Sequence, residues 1–152
     1  MSKTFIVTVE LQLPASAQAV FDAWLDPQQV RHWMSAALRD MGLSGDMKRV
    51  EIDPVTGGRF TFSDQREEGE AVHWGTYRQI DRPCKLVWTW FTSPEEEALD
   101  ASLVSLEITP AETGCRAQIS HRLAIRWQDY AAQVEHGWRC LLRHSGQLHE
   151  KA

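Results

Sequence analysis

Six strand-length runs follow one another between Met47 and Leu123, and behind them stands one segment of helical period long enough to cover a sheet. "MKRVEI" and "RFTFS" flank "DPVTGG", whose paired glycines suit a turn with positive φ. "AVHWGTYRQI" and "KLVWTWF" flank Asp81-Arg82-Pro83-Cys84, and "SLVSLEIT" and "CRAQISHRL" flank "PAETG". Three successive hairpins predict a continuous antiparallel sheet. The closing helix, from about Gln128 to Glu150, repeats Val134, Trp138, Leu141, Ser145 and Leu148 every three or four residues. The sheet must cover one face, and only this helix is long enough to do so. Gly137 inside the helix costs stability relative to alanine, so a close backbone approach is expected there.

The N-terminal run "TFIVTVELQL" puts Phe5, Val7, Val9, Leu11 and Leu13 on one face, as a half-buried strand does. Ser16 is placed to cap a helix carrying Val20, Phe21 and Trp24. Asp26 caps a second helix, "PQQVRHWM", with Pro27 at its first position. Ser35 to Asp46 reads as a loop at the edge of any cavity, in which "AALRDM" can form a turn of helix. Ser93 and Glu96 have capping-box spacing over "SPEEEALD", whose triple Glu reads as solvated surface. The order is one strand, two short helices, six strands and a long helix. It predicts an α+β fold in which a curved seven-stranded antiparallel sheet wraps the C-terminal helix. No repeat or linker interrupts it, so residues 1–152 are expected to form a single domain.

Leu86, Trp88 and Trp90 share one face of their strand, while Val87, Thr89 and Phe91 share the other. A half-solvated strand has a polar face, and this one has almost none. Seven Trp against two Tyr point to an aromatic interior, an aromatic-lined pocket, or both. Trp88 and Trp90 are expected to face the helix or a cavity beside it, in a set with Trp24, Trp33 and Trp138.

A net charge of −5 with no basic cluster argues against a nucleic-acid partner. No apolar run approaches the roughly 20 residues of a spanning helix, so no membrane insertion is expected. The start resembles a strand, not a signal peptide. Cys84, Cys115 and Cys140 form no paired framework, which predicts reduced thiols in a cytoplasmic protein. His73, Gly75 and Tyr77 share a face, with Gly75 allowing backbone or ligand to approach. His121 ends a strand whose other inward residues are Ala117 and Ile119, where an imidazole can meet a ligand or act as acid or base. His136, Cys140 and His144 have the spacing of metal ligands on one helix face. Their line lies opposite the apolar stripe and has no carboxylate, so an exposed row without metal is expected. No nucleophile elbow, phosphate loop or HExxH is present, and no catalytic residue or cofactor is predicted.

The succession "VFDAWLDPQQVRHWM", "VEIDPVTGGRF", "GTYRQIDRPCKLVWTW", "SLEITPAETGCRAQISH" and "HGWRCLLRHSGQL" resembles the heat-shock-protein-ninety ATPase-activator-like family. That family belongs to the START-like, or SRPBCC, superfamily. The resemblance implies a helix-grip fold of the START/Bet v type, with an apolar cavity between sheet and terminal helix. Family members also resemble this chain in a His near His121. The resemblance does not imply one reaction, because relatives carry lipids or cyclise polyketides. The expected function is binding of a small hydrophobic ligand, aromatic or acyl, by Trp33, His73, Tyr77, Trp88, Trp90, His121 and Trp138. The alternatives are a cyclase- or hydrolase-type enzyme using His73, Tyr77 or His121, and a chaperone-associated interaction module. A chaperone activator is expected to carry a further docking domain, for which this chain leaves no room. The oligomeric state stays open, with room for a homodimer.

Overall fold

The computed structural model describes residues 3–99 and 102–147. Strand β1 (Thr4–Leu13) is followed by helices α1 (Ala17–Leu25) and α2 (Pro27–Asp40). Strands β2 (Met47–Ile52), β3 (Arg59–Arg66), β4 (Gly69–Asp81) and β5 (Lys85–Thr89) come next, then a short helix α3 (Pro94–Leu99). Strands β6 (Leu103–Pro110) and β7 (Cys115–Ala124) lead through a 3-10 segment (Ile125–Tyr130) into α4 (Ala131–Ser145).

The seven strands pair antiparallel in the order β1-β7-β6-β5-β4-β3-β2. Successive strands are therefore neighbours except at one place, where α1 and α2 carry the chain from edge strand β1 to edge strand β2. Register shifts between Met47 and Arg49 and between Tyr77 and Gln79 bend the sheet, as bulges do. Gly75 permits the same curvature, since a Cβ there would lie 1.9 Å from the Thr89 carbonyl oxygen. The close approach is thus made by backbone. At the β2–β3 turn Gly57 has φ +87°, which L side chains rarely adopt. The result is the helix-grip arrangement, an α+β fold with α4 against a curved sheet.

The caps read from the sequence are formed. Ser16 Oγ accepts from the Ala19 N–H at 3.1 Å, and Asp26 Oδ1 accepts from the Gln28 N–H at 2.9 Å. Helix α2, however, runs through Ser35 to Asp40 where a loop was expected. Val30, Trp33, Met34, Ala37 and Leu38 are buried at helical spacing, so the amphipathic stripe continues into that segment. Cys140 in α4 donates its thiol to the Ala37 carbonyl at 3.4 Å, which shows what the extra turns pack against.

Trp138, Leu141 and Ser145 of α4 are buried and Val134 is half-buried. Leu148, expected in the same stripe, lies outside the described residues. Two expectations about α4 are corrected. Cys140 is buried and His144 half-buried, because α2 covers the flank opposite the sheet; only His136 of that row is exposed. Gly137 makes no close backbone contact either, since a Cβ at that position would meet no atom within 4 Å.

Candidate functional site

Spaces remain between the sheet and the helices, a small one under α1 and a larger one beside α4. The smaller, about 10 Å³, lies among Trp24, Phe60, Phe62, Tyr77, Leu86 and Trp88 and is no larger than one water. The larger has a volume of about 280 Å³. Its inner wall is Trp90, His121 and Trp138, and α4 adds Val134, Gly137 and Leu141. Leu123 and Ala124 extend that wall toward the surface. The exposed Thr92 and Tyr130, with Glu96 and Trp127, form the outer end.

Alternation along β5 explains why Trp88 and Trp90 both turn inward, yet their surroundings differ. Trp88 is 3% exposed, 5.4 Å from Trp24 and 6.2 Å from Trp138 by ring centroids. Trp90, just beyond the strand end, stacks on His73 at 4.8 Å and meets Trp138 at 5.1 Å. The other face of this strand is also covered, with Val87, Thr89 and Phe91 all buried.

The residues singled out from the sequence therefore divide. Trp90, His121 and Trp138 converge on the larger cavity. His73 stands behind Trp90, while Tyr77 and Trp88 border the small void. Trp33 is 1% exposed in the core, packed on Trp24 at 4.6 Å with its indole N–H donated to the Ala23 carbonyl. Trp24 donates likewise to Ser145 Oγ, so both large rings are buried without an orphaned donor.

Ser102, Glu96, Trp127, Tyr130 and Gly137 are lining residues that the sequence reading missed. Ser102 precedes β6 in phase with the buried Val104, Leu106 and Ile108, and the alternation of "SLVSLEIT" was the signal that could have found it. Trp127 and Tyr130 are three residues apart, the eclipsed spacing of a 3-10 turn, and their rings lie 5.9 Å apart. Glu96 belongs to the triple Glu read as solvated surface; instead its carboxylate turns back to accept from the Thr92 N–H at 3.2 Å.

A buried polar chain crosses the inner wall. Trp138 donates its indole N–H to His121 Nδ1 at 2.9 Å, and His121 Nε2 lies 2.8 Å from Ser102 Oγ. Burial lowers the His121 pKa from 6.5 to about 4, so the ring is neutral at pH 7. His73 is lowered to about 4, by burial first and by Arg66 second. Burial pushes the Tyr77 hydroxyl well above its ordinary range. An indole N–H only donates, so Nδ1 of His121 must be the accepting nitrogen. The imidazole lone pair is thereby used, and His121 cannot deprotonate Ser102 without losing the Trp138 bond.

Asp40, Cys140 and His144 place three ligand atoms within 4.8 Å of one another between α2 and α4. Asp40 is the carboxylate the sequence reading did not find. Its Oδ2 already accepts from Arg143 at 2.5 Å and pairs with His144 at 3.1 Å, and these two bonds hold its carboxyl below the usual range. A metal there would have to displace the guanidinium, while burial pushes the Cys140 thiol up, away from the thiolate a metal needs. The cluster is built as an interhelical ion pair. No helix among the described residues is long and apolar enough to cross a membrane.

Residues 14–145 match the family described as Activator of Hsp90 ATPase homolog 1-like protein. No curated protein matches the chain. A solved protein of unknown function from Staphylococcus aureus is 19% identical with TM-score 0.75, over 95% of this chain and 92% of that one. A Rhizobium loti protein is 25% identical with TM-score 0.72, over 93% and 94%. An AHSA1-like protein from Aeromonas hydrophila is 20% identical with TM-score 0.66, over 93% and 90%. These likenesses establish the fold.

Proposed function

The chain belongs to the family of activator of Hsp90 ATPase homolog 1-like proteins, and on that premise we propose that it binds a small, largely apolar molecule, aromatic or acyl, between the sheet and α4. One observation carries the proposal: the cavity of about 280 Å³ walled by Trp90, Trp138, Val134 and Leu141. That volume is near the lower end of ligand pockets, about 300–1,000 Å³. A packed core does not leave such a space, because interiors close to crystal density. A cyclase- or hydrolase-type reaction is less well supported, since it needs a base with a free lone pair and that of His121 accepts from Trp138. The buried free thiols Cys115 and Cys140 support a cytoplasmic setting.

Gly137 offers the test, because a side chain there points into space that no atom fills. Native mass spectrometry of freshly purified protein is expected to show a co-purified small molecule. Gly137→Leu should abolish that adduct, whereas Gly137→Ala should keep it and raise stability by about 0.5–1 kcal/mol. Unchanged adduct and dye uptake in a folded Gly137→Leu protein would refute binding in this cavity.

A further inference from the structure

The polar chain on the cavity wall has a direction, and that direction selects a ligand. Trp138 Nε1–H can only donate, so His121 Nδ1 accepts it at 2.9 Å. A neutral imidazole carries one proton, which must then be on Nε2. Nε2–H points at Ser102 Oγ, 2.8 Å away, and the serine oxygen is the acceptor of that bond. The serine hydroxyl proton is left over. Among the described residues no acceptor takes it, and Ser102 lines the cavity. From Trp138 through His121, each group hands its donor onward, and the last donor in the chain is presented to the cavity.

From this geometry we infer that the cavity selects a neutral apolar compound bearing one hydrogen-bond acceptor, a ketone, ester or amide carbonyl, held by the Ser102 hydroxyl. The inference rests on the cavity being a binding site and adds the polarity of its inner wall. A free acid of the same shape is disfavoured for two reasons. Among the described residues no Lys or Arg lines the cavity, whereas Glu96 does. Arg126 stacks its guanidinium over the Trp127 ring, 5.0 Å from the centroid, and does not line the cavity. A carboxylate entering this space would exchange full hydration for one hydroxyl donor.

Trp138 is a positioning residue in this scheme. It fixes the imidazole tautomer and touches the ligand only through its ring.

Three probes of similar size separate the possibilities: 2-acetylnaphthalene has an acceptor, 2-ethylnaphthalene has none, and 2-naphthoate carries a charge. Binding to the full chain is read by quenching of tryptophan fluorescence at pH 7.5. The ketone is expected to bind about 3–10-fold more tightly than the ethyl compound, the range of one net hydrogen bond. Ser102→Ala should bring the two within about twofold, mainly by weakening the ketone. The carboxylate should bind at least about tenfold more weakly than the ketone. Equal affinities for ketone and ethyl compound in the native protein would overturn the inference while leaving cavity binding intact. Carboxylate binding as tight as the ketone would overturn it as well. Failure of all three probes to bind would refute the cavity itself, and this inference with it.

A second measurement needs no ligand. Long-range ¹⁵N–¹H spectra, with His121 assigned by its loss in His121→Gln, should show a protonated Nε2 and a bare Nδ1. The opposite tautomer would overturn the inference. In Trp138→Phe, which removes the indole donor, the two tautomers should mix, and an unmixed spectrum would show that Trp138 does not set it.

Discussion

Trp88 and Trp90 are two residues apart on the same strand face, yet they are expected to respond differently to truncation. Trp88 is enclosed by Trp24, Trp138 and the small void, so its removal leaves a hole that the sheet cannot close. Trp88→Ala should cost about 3–5 kcal/mol, the range for a packed aromatic ring. Trp90 already borders open space on one side, and fewer neighbours lose contacts when it goes. Trp90→Ala should cost about 1–3 kcal/mol and weaken uptake of a hydrophobic probe strongly. Thermal unfolding paired with dye titration reads both. Heavy stability loss in both variants, with probe affinity of the folded fraction unchanged, would make both rings core. Inwardness was legible at these positions because strand alternation dictates it. Which ring meets core and which meets space was not, since that depends on where α4 passes over the sheet.

At the scale of elements, the α2–α4 contact changes how one flank of the terminal helix is read. His136, Cys140 and His144 lie in one line, but α2 packs over the last two and brings Asp40 against them. The Arg143 guanidinium shares the same carboxylate oxygen. That arrangement predicts no stoichiometric zinc in untagged protein, and metal analysis checks it. Bound zinc that disappears in His144→Ala would show that the metal outcompetes Arg143. The continuation of α2 through Ala37 and Leu38 was present in the sequence as a stripe. Ala37 contributes little apolar signal by itself, and it is buried because α4 needs a close neighbour there. The terminal helix is shorter than its apolar period suggested, as Ile125 to Tyr130 wind into a 3-10 segment whose aromatics frame the cavity.

Across the whole molecule, two neutral histidines make stability depend on pH. His73 and His121 have folded pKa values of about 4 against an ordinary 6.5. Between those limits the unfolded chain binds protons that the folded chain does not, so stability rises with pH. The contribution is complete above about pH 6.5 and is lost as pH falls toward 4. Moving from pH 7 to pH 5 should cost about 1–2 kcal/mol for each histidine. His121→Gln should remove about half of that pH-dependent loss, measured by denaturant unfolding at both values; an unchanged pH dependence would place the His121 ring in water. The sequence by itself determined the strands, their antiparallel hairpins, the caps at Ser16 and Asp26, and the sheet wrapped on a C-terminal helix. Those features follow from alternation, turn chemistry and helical period, which act over a few neighbouring residues. Only the tertiary structure decided that Trp138, His121 and Ser102 form one directed chain, and that Gly137 opens onto space. These groups come from α4, β7 and the start of β6, and no local pattern encodes how far apart three separate segments come to rest.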